Sequence, residues 1–320
     1  MTTNMAPKPW MLLGVLLLST TISAIVSAGT LPVEEEKKVF FSDITIGSPY
    51  LVQLKYLHTQ GLIDGYENGM FQPKKLITRA EAATMLERAL LDEETKSDTT
   101  TRFSDVPQDH WAHETISHMA EKKIIKGYKN EEFKPNQTIN RAEAIKMVIV
   151  AEQIKSPKLT LPTNSKSSFK DMKGTEWFAP YIEAANSRTM LTYSTKMLIY
   201  PADQVTRGEF ADLVYRAIRT REPGHFFGRG TYYSDFFEGR GTSAGEKYRK
   251  DGYTAAHKTL PFNTKIKVTY LRNEQSVTVR VNDRGPFTPS MDVDLTRRAF
   301  SDLANPSEGI IPIEYEIVTE

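Results

Sequence analysis

The stretch Thr278-Val-Arg-Val-Asn-Asp-Arg-Gly-Pro-Phe287 decides how the C-terminal part of the chain folds. Its valines alternate with polar residues, which is the period of a half-buried strand. Asp283 follows on the valine face, just before Gly285-Pro286 ends the strand. A carboxylate in register with apolar residues is partly desolvated, so we expect it to hold its proton more tightly, as a general acid does. A turn-forming Asp before Gly-Pro explains the same residues, and from this stretch alone it is the preferred interpretation.

The first 28 residues have the composition of an export signal. Lys8 precedes an apolar run from Trp10 to Ile25, and Val26-Ser27-Ala28 is a small-residue cleavage site. The run is short for a membrane span and contains a Ser-Thr-Thr interruption, so cleavage is preferred over a retained anchor. We therefore expect an exported protein with no membrane association after cleavage.

The composition excludes several functional classes. The 41 Lys and Arg residues balance the 40 Asp and Glu residues, so no strong basic field predicts nucleic-acid binding. The absence of cysteine excludes a disulfide framework, a thiolate nucleophile, cysteine metal ligands and lipidation on a cysteine. The 320 residues allow two or three domains with a sizeable core, and we expect no cofactor.

The first two thirds of the chain contain one sequence unit repeated three times. The first copy has a Phe-x-Asp start, a Gly-Tyr pair, a Phe-x-Pro turn and a Thr-Arg-x-Glu motif, in that order, and the other two copies have the same motifs with substitutions. These elements begin at Phe41, Gly65, Phe71 and Thr78, then at Phe103, Gly127, Phe133 and Asn140, and, partly altered, at Phe169, Thr192, Tyr200 and Thr206.

Each repeat has the pattern of two helices joined by a loop. In the second repeat an apolar stripe from Ile116 to Ile125 predicts the first helix, and Lys126-Gly127 is its predicted end. A Glu three residues after the start of the second helix predicts a capping box in the first and third repeats. The predicted start residues of the second helices are Thr78, Asn140 and Thr206.

Capping does not explain the arginine of the Thr-Arg-x-Glu motif. An Arg at the first helical position opposes the helix dipole, but its guanidinium and the free backbone N–H groups together suit an anion. Three such arginines predict a repeated site for an acidic group on a polymer. A salt bridge from each arginine to the Asp of the Phe-x-Asp motif is an equally good interpretation. The two sets are Arg79, Arg141 and Arg207, and Asp43, Asp105 and Asp171.

In their ordered motifs and their tryptophans, these repeats resemble S-layer homology (SLH) domains. The resemblance implies an all-α, three-fold pseudo-symmetric unit that binds a secondary cell-wall polysaccharide. The departures are that Pro49-Tyr50 stands where the first repeat should carry Trp, and that the third repeat has Thr192 for the Gly-Tyr glycine and Gly208 for an alanine. The polymer-binding residues that the resemblance implies are Arg79, Arg141, Arg207, Trp111 and Trp177.

A group of His and Glu residues in the second repeat raises the question of a metal site. The group contains His110, His113, Glu114 and His118. A metal ion needs its ligands on one face, whereas His113 and His118 are five residues apart on a predicted helix. We therefore expect a surface cluster and no metal.

From Phe226 onward the helical period gives way to short strands and Gly-rich turns. Strands are predicted near 230–233, 266–270, 277–283 and 311–318, with a helix over 296–304. Several short strands in a short segment suit a small closed barrel. Two carboxylates and an imidazole in one barrel could serve glycoside cleavage, although each also has a structural explanation as a loop or turn residue. These three residues are Glu246, His257 and Asp283.

This segment resembles the rare lipoprotein A (RlpA) family. The resemblance rests on Gly230-Thr-Tyr-Tyr233, Gly239-Arg-Gly-Thr-Ser-Ala-Gly-Glu246, Tyr253-Thr-Ala-Ala-His257, Val279-Arg-Val-Asn-Asp283 and Asp294-Leu-Thr296. It implies an all-β, six-stranded double-psi β-barrel with lytic transglycosylase activity on peptidoglycan glycan strands. Members often carry a lipidated cysteine and a glycan-binding module, and we expect the SLH repeats to replace both as the wall-targeting device. The domains are expected at 1–28 (signal), 39–91, 101–153 and 167–219 (SLH), and 226–320 (barrel).

The resemblance implies roles for individual residues. Asp283 would protonate the leaving oxygen between N-acetylmuramic acid and N-acetylglucosamine, and then take the proton of the C6 hydroxyl that closes a 1,6-anhydro ring. His257 would orient Asp283 or the sugar, and Glu246 would assist; Arg284 and Tyr233 are candidates for substrate contacts. One alternative is an inverting hydrolase that uses Glu246. Another is a non-catalytic, expansin-like wall-loosening or structural wall-binding protein.

Overall fold

The computed structural model describes residues 41–91, 103–163, 166–192, 194 and 196–319. The predicted export signal lies outside these residues. In the described part of the chain, no helix combines the length and apolarity that a membrane crossing requires.

The helical repeats contribute two helices each to the described structure. The first helix of each repeat is short, and the second is longer and better capped. In chain order they are α1 (Leu51–Thr59), α2 (Arg79–Leu90), α3 (His113–Glu121), α4 (Arg141–Lys155), α5 (Ala179–Ser187) and α6 (Arg207–Arg219).

A capping box starts the second helix of every repeat. In α2 the Thr78 side chain accepts the N–H of Glu81, and the Glu81 carboxylate accepts the N–H of Thr78. The same reciprocal pair occurs in α6, which confirms the sequence prediction. It also occurs in α4, where Asn140 replaces the hydroxyl residue. Each box satisfies two N–H groups that the helix itself cannot pair.

The first helix of the second repeat ends earlier than its apolar stripe predicts. Helix α3 stops at Glu121, and Lys123 adopts a left-handed conformation with φ of 60°. Ile124 and Ile125 remain buried although they lie beyond the helix. The prediction was wrong because burial of an apolar stripe does not require that the backbone stay helical.

Backbone hydrogen bonds join the three repeats in a ring. The N–H of Arg79 donates to the carbonyl of Gln137 at 2.8 Å, and the N–H of Arg141 donates to Asp203 at 2.9 Å. The N–H of Arg207 completes the ring by donating to Lys75 at 2.8 Å. These helix N-termini are therefore not free for an anion, and that part of the sequence interpretation was wrong.

The arginines of the repeated motif also face the neighbouring repeat. Arg79 is only 8% exposed, and its Nε donates to the carbonyl of Phe133 at 2.8 Å. Arg207 is 6% exposed and donates to Phe71 in the same way at 3.0 Å. The salt-bridge alternative was wrong as well, because Asp43 and its equivalents accept backbone N–H groups of the Phe-x-Pro turn instead, as for Phe71 at 2.8 Å.

The His cluster of the second repeat is partly internal, which corrects the expectation of a surface cluster. His113 and His118 are 8% and 4% exposed. The Nδ1 of His118 lies 2.5 Å from Glu87 Oε1, and the Nδ1 of His113 lies 2.9 Å from the carbonyl of Pro107. These contacts explain both histidines as parts of the helical core.

The C-terminal domain is a closed six-stranded barrel with strand order β1-β5-β2-β4-β3-β6. Inward-facing Val, Ile and Leu side chains fill its interior, and one helix covers it. The elements are β1 (His225–Tyr232), β2 (Thr254–His257), β3 (Lys265–Tyr270), β4 (Ser276–Asp283), β5 (Val293–Leu295), α7 (Arg297–Leu303) and β6 (Ile311–Ile317).

The barrel is attached directly to the helical repeats. The hydroxyl of Tyr215 in α6 donates to Glu314 of β6 at 2.5 Å, and both residues are buried. Lys55 of α1 forms an ion pair with Glu274 in the β3–β4 turn at 2.5 Å. Phe227 of β1 belongs to the hydrophobic core of the helices. The interface therefore combines apolar packing with buried and exposed polar contacts.

Candidate active site

A break in strand register moves Asp283 off the valine face. Ala255 pairs with Val281, but the next residue, Ala256, pairs with Asp283, so Asn282 is passed over. The side chain of Val281 lies in the barrel core. The bulge changes the direction of the next side chain but one, that of Asp283. The prediction that Asp283 continues the valine face was therefore wrong, because side-chain alternation holds only while the register holds.

Asp283 is surrounded by hydrogen-bond donors. Ser243 donates its N–H and its hydroxyl to Oδ1 at 2.8 and 2.6 Å, and the N–H of Arg284 donates to the same oxygen at 2.8 Å. The hydroxyl of Tyr233 donates to Oδ2 at 2.8 Å.

These donors decide the protonation state of Asp283. Partial burial raises the pKa of its carboxyl, but the hydrogen bonds from Ser243, Tyr233 and Arg284 outweigh it and leave the pKa below the ordinary value. The expectation of a tightly held proton was therefore wrong. Asp283 is a carboxylate near neutral pH, which suits it to accept a proton.

Glu246 is held in a bidentate ion pair. Its two oxygens each lie 2.7 Å from the guanidinium of Arg280, and the amide of Asn282 donates to it at 3.2 Å. The hydrogen bonds from Arg280 and then Asn282 lower the pKa of Glu246 to about 2. Because Arg280 engages both oxygens and the pKa is low, Glu246 is a poor general acid and a weak general base.

Glu246 is connected to Asp283 through the 241–247 loop. Its backbone carbonyl accepts the N–H of Thr242 at 2.7 Å, and the N–H of Ala244 donates to the carbonyl of Asn282 at 3.1 Å. The ion pair with Arg280 thus fastens the 241–247 loop to β4. Ser243 lies in this loop. The ion pair therefore also positions the N–H and the hydroxyl of Ser243, which both donate to Asp283.

His257 is the last residue of β2, and in the described structure its ring forms no hydrogen bond with Asp283. Its Nδ1 accepts the N–H groups of Thr259 and Leu260 at 3.2 and 2.9 Å, so its Nε2 carries the proton and donates to Tyr315 at 3.2 Å. Burial, followed by the charges of Lys258 and Arg284, lowers the pKa of His257 to about 4. The ring is therefore neutral, and its hydrogen bonds shape the turn after β2.

The two candidates for substrate contacts occupy different places. Tyr233 belongs to the site through its hydrogen bond to Asp283. The guanidinium of Arg284 instead stacks over the ring of Phe262 at 3.8 Å and donates to the carbonyl of His257 at 3.3 Å. Arg284 therefore links the turn after β4 to the end of β2.

Sequence reasoning assigned no role to two residues of the site, Ser243 and Asp294. Asp294 in β5 pairs with Ala256, the same residue that pairs with Asp283 on the other side of β2. The alternation of Val293 and Leu295 around Asp294 could have indicated an outward-facing carboxylate. Nothing in the sequence around Ser243 predicts its contact with Asp283, because Ser243 lies in a loop and Asp283 ends the distant strand β4.

Exposed aromatic side chains mark the surface of the helical repeats. Trp111 is 63% exposed and Trp177 is 56% exposed. Trp111 borders an open groove of about 780 Å³, together with Tyr66 and Arg207. The groove of about 370 Å³ beside Arg141 is different, because Tyr50 stands there in place of a tryptophan and Arg272 and Pro312 of the barrel form part of its wall.

The comparisons with known proteins agree with this architecture. The family model described as lytic transglycolase matches residues 226–315. The S-layer homology domain model matches residues 41–83, 102–145 and 168–211. The fold and site thus define a protein in which a helical pseudo-trimer is fused to a six-stranded double-psi barrel. The chain contains three S-layer homology domains and one lytic transglycolase domain.

Curated relatives share the barrel part of the chain. The endolytic peptidoglycan transglycosylase RlpA of Campylobacter jejuni is 39% identical over 130 residues, which are 41% of this chain and 42% of that protein. A probable endolytic peptidoglycan transglycosylase RlpA of Synechocystis is 46% identical over 91 residues, 28% of each chain. The chain spans less than half the length of these relatives. Among solved structures, Streptomyces papain inhibitor covers 30% of this chain and 96% of its own, with 23% identity and a TM-score of 0.26.

Proposed function

We propose that the protein is an exported lytic transglycosylase that cleaves peptidoglycan, and that its SLH repeats hold it on a secondary cell-wall polysaccharide. The observation that carries the enzymatic part is the Asp283 carboxylate, fixed by Ser243 and Tyr233 in a barrel of the lytic transglycolase type. The names of the relatives support peptidoglycan as the substrate.

Asp283 is suited to the ring-closing half of the reaction. As a carboxylate it accepts the proton of the C6 hydroxyl of N-acetylmuramic acid while O6 bonds to C1 of the same sugar. The nucleophile belongs to the substrate, so its effective concentration is high and no activated water is required. The released sugar then carries a 1,6-anhydro ring. Ser243 and Tyr233 keep Asp283 ionised and oriented, and Glu246 positions Ser243 through the loop.

The reaction is tested by digesting purified peptidoglycan sacculi and analysing the products by mass spectrometry. We expect muropeptides that end in anhydro-N-acetylmuramic acid, and their loss with Asp283→Asn. Reducing-end products without the anhydro form would overturn transglycosylation. Intact sacculi that nevertheless lose mechanical strength would favour the non-catalytic, expansin-like alternative.

The proposed anchoring is supported by Trp111 and Trp177, whose large apolar side chains are exposed to solvent. Arg141 is the most accessible arginine of the repeated motif, whereas Arg79 and Arg207 are buried. We assign these five residues to polymer binding, with the aromatic faces stacking on sugar rings and the arginines facing acidic substituents.

Sedimentation with purified cell walls tests the anchoring. The full chain carrying Asp283→Asn, which prevents digestion, should sediment with walls, and Trp111→Ala with Trp177→Ala should release it into the supernatant. Ile154→Ala is the matched control, because Ile154 is also an exposed apolar residue of the repeats. Equal sedimentation of all three variants would remove the anchoring proposal.

A further inference from the structure

Asp294 and Asp283 lie in one row across the barrel wall. Strand β2 runs between the two strands that carry them, and Ala256 of β2 pairs with both. On the far side, Thr231 of β1 pairs with Asp294. Neighbouring strands are about 4.8 Å apart, so the Cα atoms of the two aspartates are separated by roughly 10 Å. The methyl group of Ala256, between them, supplies neither a charge nor a hydrogen bond.

Asp294 is unlike the other carboxylates described in the barrel. Asp283, Glu246 and Glu314 each accept hydrogen bonds from side chains. Oδ1 of Asp294, by contrast, is buried and has no hydrogen-bond partner in the described structure. A buried carboxylate oxygen without a donor is costly when ionised, which favours the protonated form.

The charges around Asp294 act in the same direction. Burial and then the negative charge of Asp283 raise the pKa of Asp294 to about 6. The other titratable groups that face it are the hydroxyls of Tyr233 and Tyr248, whose own pKa values are raised, first by burial and in part by Asp294. Both hydroxyls are neutral near neutral pH. The groups that face Asp294 therefore include no positive charge that would stabilise its carboxylate.

The pKa of Asp283 is lowered and that of Asp294 is raised. A site that contains both a general base and a general acid has this difference in pKa between its two carboxyl groups. Hydrogen-bond donors keep Asp283 ionised, whereas burial without a donor to Oδ1 lets Asp294 keep its proton up to about pH 6. The charge on Asp283 also helps Asp294 retain its proton, so the two states support one another. A structural role does not explain Asp294, because its buried oxygen satisfies no other group.

We propose that Asp294 is the general acid of this site and Asp283 its general base. The assignment rests on the proposed function. Asp294 gives its proton to the leaving O4 of N-acetylglucosamine as the C1–O4 bond breaks, while O6 forms the C1–O6 bond and its proton passes to Asp283. Asp294 ends as a carboxylate and Asp283 as an acid, and exchange with water restores the starting state. No water is consumed.

The first test is the pH dependence of kcat/KM with soluble glycan fragments. In the wild type, activity falls as pH rises through about 6, because Asp294 loses its proton. Asp294→Asn should reduce kcat by about 10²–10⁴-fold and abolish this alkaline limb. Asp302→Asn, which changes an exposed carboxylate hydrogen-bonded to Tyr253, should preserve the limb. An Asp294→Asn protein with wild-type rate and limb would overturn the assignment even though anhydro products still form.

The second test does not depend on activity, and its first measurement uses the wild-type protein alone. Carbon-detected NMR titration of the wild-type carboxyls should show Asp294 titrating near pH 6. Asp283→Asn removes the neighbouring negative charge, so the Asp294 midpoint should fall. A midpoint at the ordinary aspartate value in the wild type would refute the proposal. Failure of the proposed function would look different, because the wild-type protein would then release no anhydro products at all.

Discussion

The ring of Tyr50 in the first repeat occupies the space that a side chain on Gly208 of the third repeat would need. A Cβ added at Gly208 would lie 2.4 Å from Cε2 of Tyr50 and 3.0 Å from the carbonyl oxygen of Pro73. The two departures from the SLH pattern, tyrosine for tryptophan and glycine for alanine, are therefore complementary parts of one contact between repeats.

Gly208→Ala should destabilise the helical repeats by about 1–3 kcal/mol, because the added methyl group overpacks a closed contact. Tyr50→Ala should relieve the clash, so the double variant should lose less stability than the two single changes together. Denaturant unfolding followed by circular dichroism measures both effects. Gly241→Ala is the control, since an added Cβ there meets nothing within 4 Å. Unfolding of Gly208→Ala at the wild-type denaturant concentration would contradict the contact.

Tyr233→Phe should move the acidic limb of activity to higher pH. Asp283 must be ionised to accept a proton, so activity falls as pH falls through its pKa. The Tyr233 hydroxyl is one of the donors that keep this pKa low, and its removal raises the pKa. The pH profile of kcat measures the shift. Tyr232→Phe is the matched control because the Tyr232 hydroxyl donates to the carbonyl of Pro306 instead. An unchanged acidic limb in Tyr233→Phe would show that Asp283 is not the titrating base.

Glu246→Gln should lower kcat and move the acidic limb of the pH profile to higher pH, while both limbs remain present. Glu246 has a pKa of about 2, so its own titration lies outside the active range. Its loss frees the 241–247 loop from Arg280 and so weakens the hold of Ser243 on Asp283. Glu316→Gln breaks another exposed ion pair of the barrel, with Lys267, and should leave kcat unchanged. Disappearance of a limb in Glu246→Gln would instead identify Glu246 as an acid or base.

His257→Gln should weaken the pH dependence of stability between about pH 4 and 6.5. The pKa of His257 is lowered from 6.5 to about 4 in the folded protein, so the neutral ring stabilises the fold fully above 6.5. This contribution is lost as pH falls through that window, because the unfolded chain binds the proton first. Thermal unfolding of the wild type and the variant across the window measures the difference. His110→Gln, in the helical repeats, is the control, and parallel curves for His257→Gln and the wild type would contradict the prediction.

The repeats and the barrel could be predicted from the sequence because their motifs are local. The capping boxes at Thr78 and Thr206 need only residues three apart. The protonation states could not be predicted, because they depend on contacts between distant segments. The bulge at Asn282 changes the direction of the Asp283 side chain, and Ser243 contacts Asp283 from the separate 241–247 loop. Asp294 is distinguished only by its lack of a donor, which no sequence pattern reveals.

The contacts between Tyr215 and Glu314, and between Lys55 and Glu274, fasten the barrel to the repeats. Only the short segment 220–224 joins α6 to β1. The barrel therefore has no long flexible linker that would let it move independently of the repeats. For the proposed enzyme, this sets a constant distance between the polymer held by the repeats and the glycan strand in the barrel groove. Cutting would be confined to one depth of the wall, and the enzyme could advance only by releasing its polymer and binding again elsewhere.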